Sequence, residues 1–132
     1  MMKTNILKII IKLIKIIYFF IYPKIIYLIY LKMSATELVN NPAKLETVFK
    51  AEFAKFAGEK GYMTLEDWNK CVIHQSKTYK IEPTPAAEAK AMQEKLMSII
   101  DPNKTGKIDY EHYAKAAKAM IEKAIADGRI KK

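Results

Sequence analysis

Six residues near the C-terminal end have the types and spacing for one kind of chemistry, the binding of a hard cation. Asp101, Asn103, Thr105 and Asp109 carry side-chain oxygens on either side of Gly106, and Lys107 and His112 fall within the same twelve-residue stretch. Oxygen donors are what a small, weakly polarisable divalent ion selects. Glycine between them lets the chain turn sharply, because it enters the left-handed backbone region without a Cβ penalty. The set holds two formal negative charges, Asp101 and Asp109, and His112 offers a nitrogen, a poor match for such an ion. A plainer reading of the same residues is a polar surface turn joining two helices.

Other chemistries lack their parts. The chain shows no nucleophile beside a base, no phosphate-binding loop and no acid pair with catalytic spacing, so no enzyme is expected. Cys71 is the single cysteine, which excludes an internal disulfide; set among apolar residues, it reads as a buried thiol in a reducing compartment. His74 and His112 are too few and too far apart for a zinc site. Trp68 and the tyrosines read as core. Lysines alternate with acids along helix faces, and aromatics do not interleave with basic residues, so no nucleic-acid partner is expected.

The elements that position the six residues are helical. Asn41-Pro42 looks like a cap with proline at the first helical position, and Leu45, Val48, Phe49, Phe53 and Phe56 then recur at spacings of three and four. Thr64, with Asp67 three residues on, suggests a capping box before Leu65, Trp68, Cys71, Val72 and Tyr79. Thr84-Pro85 opens a third helix with Ala89, Met92, Leu96, Ile99 and Ile100 inside. Asp109 caps a fourth, carrying Tyr113, Ala114, Ala117, Ile121, Ala124 and Ile125, and Gly128 stops it. The expected fold class is all-α.

These helices form a repeat. Gly61-Tyr62-Met63-Thr64-Leu65-Glu66-Asp67-Trp68 aligns with Gly106-Lys107-Ile108-Asp109-Tyr110-Glu111-His112-Tyr113 at a constant offset. Each copy has a turn glycine, an apolar residue two places on and an aromatic opening the next helix, the mark of one supersecondary unit used twice. Met63 and Ile108 are therefore expected to meet in a short two-strand contact. The first loop has lost its oxygens: Ala57, Gly58, Glu59 and Lys60 offer one carboxylate among four residues.

On these residues the chain resembles the calmodulin-like EF-hand superfamily over residues 41 to 126. The resemblance implies a paired EF-hand of four helices, the first hand over about 41–79 and the second over about 84–126. It assigns Asp101, Asn103 and Thr105 to the first, third and fifth ligand positions of the second loop, and the Lys107 carbonyl to the seventh. Asp109 takes the ninth position, and His112 stands at the twelfth, where the family has a bidentate glutamate. Weak calcium binding follows, on the order of 10⁻⁴ to 10⁻³ M, in the second loop only. The degenerate first hand is expected to bind none. The resemblance also implies a regulatory module whose apolar groove receives an amphipathic partner helix, with Met63, Met92, Met97 and Met120 available to line it. A calcium-independent structural adaptor is the alternative.

Residues 1 to 32 differ in kind. They hold six lysines and no acid, alanine, glycine, valine, serine or arginine, whereas residues 33 to 132 hold fifteen alanines. Three readings stand. Lys8, Lys12, Lys15, Pro23 and Lys24 interrupt a membrane span. Lys8, Lys12 and Lys15 on one face suit a helix lying on a membrane, hence a membrane-anchored sensor. The third is AT-rich upstream sequence read in frame, with initiation at Met33 and a leader dispensable for folding. Without the leader, seventeen basic residues against fourteen acidic ones leave +3 of the chain's +9, and the expected location is cytoplasmic.

Overall fold

The computed structural model describes residues 2–131, and they are helical throughout, joined by short turns. Two helices form the leader, α1 (Met2–Ile16) and α2 (Tyr22–Tyr30), joined by a π-helical turn at Ile17–Ile21. A short α3 (Ala35–Val39) precedes α4 (Pro42–Ala57), α5 (Leu65–Thr78), α6 (Ala86–Ile100) and α7 (Tyr110–Ala126). Three caps follow the sequence, whereas α6 is entered from Pro85 with no side-chain cap bond from Thr84. Asn41 Oδ1 accepts from the Lys44 amide at 3.3 Å. Thr64 and Asp67 exchange both bonds of a capping box, at 3.2 and 3.0 Å. Asp109 Oδ1 accepts from the His112 amide at 2.9 Å, and Gly128 ends the chain's last helix at φ +69°.

The core lies between α4, α5 and α7, with α3 closing one end and α6 packed on α7. Leu45, Val48, Phe49, Trp68, Cys71, Tyr113 and Ile121 are buried there. Tyr113 stands at its centre, with Phe49 and Trp68 edge-on and Phe53 tilted against it at ring distances of 5.6 to 6.0 Å. Its hydroxyl receives the Gln75 amide at 2.8 Å, and Gln75 also donates to Glu52 at 2.9 Å. Glu52 is wholly buried, and burial, the largest influence on it, raises its pKa to about 7 against the hydrogen bonds from Gln75 and Tyr79. Burial likewise pushes the Cys71 thiol up to about 12, which makes it inert.

The expected two-strand contact is smaller than the repeat suggested. Met63 and Ile108 form one antiparallel bridge, with N–H···O distances of 2.9 and 2.8 Å, and no strand forms among the described residues. The reason is local. Thr64 and Asp109 cap helices immediately after the paired residues, so the pairing stops at one residue in each loop.

Three features were not anticipated. Ser34 caps α3, accepting from the Glu37 amide at 3.1 Å, and buries Ala35 and Leu38. The tail past Gly128 returns to the linker: Ile130 bridges Ile81, the Glu82 amide donates to the Arg129 carbonyl at 2.7 Å, and Arg129 Nη1 donates to the Glu82 carbonyl at 2.8 Å. The leader is not separate from the domain at residue 32. Tyr27 and Tyr30 pack against the core, the Tyr27 hydroxyl lies 3.4 Å from His74 Nε2, and Lys44 sits over the Tyr30 ring. Among the described residues no helix is long and apolar enough to cross a membrane.

Candidate metal centre

The loop between α6 and α7 positions the six residues named from sequence. α6 ends at Ile100, which is buried and anchors the loop's entry, and buried Ile108 anchors its exit through the bridge to Met63. Asp101 follows Ile100 and turns its carboxylate back over the loop. The Thr105 and Gly106 amides donate to its two oxygens, each at 2.9 Å. These bonds, Gly106 first, hold its carboxyl below the usual carboxylate range. Gly106 sits at φ +77° and Lys104 at φ +54°, so two left-handed residues curl the chain around Asp101.

Three oxygens are brought together. Thr105 Oγ1 lies 3.1 Å from Asp101 Oδ1 and 3.2 Å from the Lys107 carbonyl oxygen. The Thr105 hydroxyl thus stands within hydrogen-bonding distance of both other oxygens. Asn103 is exposed in the same loop.

Asp109 and His112 are drawn to each other. His112 Nδ1 lies 2.6 Å from Asp109 Oδ1, the oxygen that also caps α7. The His112 amide, first among its partners, and then the ring hold the Asp109 carboxyl low. Asp109 Oδ1 is thereby engaged by the imidazole ring as well as by the helix cap. The residues present therefore fit a hard cation in part: Asp101, Thr105 and the Lys107 carbonyl converge, Asn103 is within the same turn, and Asp109 must leave His112 to join them. Among the described residues no three His, Cys, Asp or Glu side chains are grouped to hold a metal, so any site here depends on neutral oxygens.

The equivalent loop before α5 carries its own cation. Lys60 Nζ lies 2.9 Å from Asp67 Oδ2, and Asp67 aligns with His112 in the repeat. The Thr64 amide and then Lys60 lower the Asp67 pKa to about 2. An ammonium thus pairs with the carboxylate at the position where the second loop has His112. Sequence reasoning counted Lys60 only among the loop residues without a carboxylate and missed its pairing with Asp67; the separation of seven residues gave no helical pairing signal.

An apolar groove of about 270 Å³ is bounded by α5, α6 and α7 and lined by Trp68, Val72, Met92, Leu96, Met97 and Met120. Met63, the fourth methionine considered for this role, is wholly buried at the loop bridge and is not part of the groove's lining. Comparison with family models, curated proteins and solved structures gives no match to this chain.

Proposed function

We propose that residues 41–126 are a paired EF-hand that binds calcium weakly through its second loop and docks an amphipathic partner helix in the methionine-lined groove. The observation that carries this reading is the convergence of Asp101 Oδ1, Thr105 Oγ1 and the Lys107 carbonyl beneath a left-handed Gly106. Supporting it are two helix–turn–helix units with a constant offset and a bridge at matching positions. The groove supports the docking half: three methionines give an adaptable apolar floor, and the polar Asn69, Thr84 and Gln93 at its rim suit the polar flank of a bound helix. Calcium would be held by Asp101, Asn103, Thr105, Lys107 and, once released from His112, Asp109. It would supply local charge neutralisation and fix the angle between α6 and α7.

The test is calcium titration of the full chain, read by calorimetry and by the amide NMR signals of Thr105 and Gly106. Binding on the order of 10⁻⁴ to 10⁻³ M is expected. Asp101→Ala should abolish it, since it removes the carboxylate around which the loop is folded. No change in those amides at millimolar calcium would favour the second reading, a calcium-independent adaptor of the same fold. The Lys60–Asp67 and His112–Asp109 pairs speak for that alternative, because in each loop a side chain of the protein already engages a carboxylate.

A further inference from the structure

The leader forms one continuous helical run from Met2 to Tyr30, about 40 Å long, and most of it touches nothing. Ile6, Ile10, Leu13, Ile25, Leu28 and Ile29 are each 45 to 59 % exposed. A row of bare isoleucine and leucine of that length needs a cover.

The π turn decides what the row looks like. Successive side chains on an α-helix rotate by about 100°. Lys8, Lys12 and Lys15 then fall within about 60° of one another, with Ile6, Ile10 and Leu13 opposite. Continued without interruption, the same rotation would set Lys24 in the middle of the apolar side. Pro23, however, lacks an amide hydrogen and its ring crowds the Phe19 carbonyl, and the helix widens there: the Tyr22 amide bonds back to Ile17, five residues away. A π turn in effect inserts one residue, so everything after it lags by about 100°. Lys24 swings to within about 50° of the lysine row. Ile25, Leu28 and Ile29 swing to extend the apolar one. Tyr27 comes onto the lysine side, and it is there that the helix docks on His74 and the core. The exposed Ile25, Leu28 and Ile29 and the half-buried Tyr27 agree with this assignment. The helical domain and four lysines therefore lie on one side of the rod, and the apolar ridge lies on the other. Lys3, in the first turn, is the exception, and its long stem can carry its charge back to water.

We propose that the Met2–Tyr30 helix lies in the plane of an anionic lipid bilayer, its apolar ridge sunk into the acyl boundary and Lys8, Lys12, Lys15 and Lys24 at the lipid phosphates. Charge selects this occupant. The leader carries six lysines and no acid, so it has nothing of its own to neutralise them, and a second copy would bring the same charge. Tyr18, Phe19, Phe20 and Tyr22 are exposed at mid-rod, and such rings are at home at the headgroup level.

The test is flotation of the full chain with vesicles of phosphatidylcholine alone and of phosphatidylcholine with phosphatidylserine, in EDTA so that calcium plays no part. The chain should float with the anionic vesicles, less so as salt is raised. Lys8→Gln/Lys12→Gln/Lys15→Gln should weaken binding about a hundredfold. Ile10→Asn/Leu13→Asn should weaken it comparably with every charge kept, and alkaline carbonate should release the bound chain. These substitutions lie away from the core, so Trp68 fluorescence should not change. Equal binding to neutral vesicles, resistance to carbonate, or self-association in place of flotation would each overturn the proposal; the last would make a second copy the cover.

Discussion

His112 carries two consequences that pull in one direction. It withholds the carboxylate expected at the twelfth position, and it occupies Asp109 at 2.6 Å. His112→Glu reverses both, releasing Asp109 and adding a bidentate grip. Calorimetry should show calcium affinity rising at least tenfold, about 1.4 kcal/mol. A chain that already binds at micromolar strength and gains nothing from the substitution would refute the assignment. Glu52 makes a second residue-level prediction. Its folded pKa of about 7 lies above the ordinary 4.5, so folding favours the protonated form. That contribution is complete below about pH 4.5 and is lost as pH climbs through 7. Stability should therefore fall by roughly 3 kcal/mol between pH 5 and 8, and urea midpoints across that range measure it. Glu52→Gln should flatten the profile and leave the protein more stable at pH 8. Gln75 Oε1 in the same network is buried and has no hydrogen-bond partner among the described residues.

At the scale of elements, the Met63–Ile108 bridge is the joint between the two helix–loop–helix units. Both side chains are almost fully buried, and the two backbone bonds close the loops onto each other. Ile108→Ala should cost about 2 to 5 kcal/mol by leaving a cavity where the loops meet, measured as a shift in denaturation midpoint. It should also weaken any calcium binding, since Lys107 and Asp109 flank the position. The caps at Asn41, Thr64 and Asp109 were legible in sequence because each is a bond between residues three apart. α3 escaped notice because five residues are too few to show a period, although Ser34 and Glu37 stood at capping distance. The bridge was legible through the repeat, but its shrinkage to one pair was not read, although the caps that cause it were.

At the scale of the whole molecule, Arg129 ties the C-terminal tail to the linker between α5 and α6. Its guanidinium reaches the Glu82 carbonyl at 2.8 Å and Asp127 at 3.3 Å, and its backbone meets the linker beside the Ile81–Ile130 bridge. Arg129→Ala should lower stability by about 1 to 3 kcal/mol and raise hydrogen exchange at Ile81 and Glu82. The sequence by itself determined the helices from α4 to α7, the caps at Asn41, Thr64 and Asp109, the repeat and the oxygen-bearing loop. Those depend on residues within a few positions of each other, where period and spacing carry the information. Only the tertiary structure decided which charges meet. Lys60 pairs with Asp67 across a turn, and Glu52, Gln75 and Tyr113 meet in the core over separations of 23 and 38 residues. It also decided the place of the leader. Its periodicity shows three lysines on one face, but the turn that brings Lys24 to that face, and the docking of Tyr27 on His74, exist only once the helix widens at Pro23 and meets the folded domain.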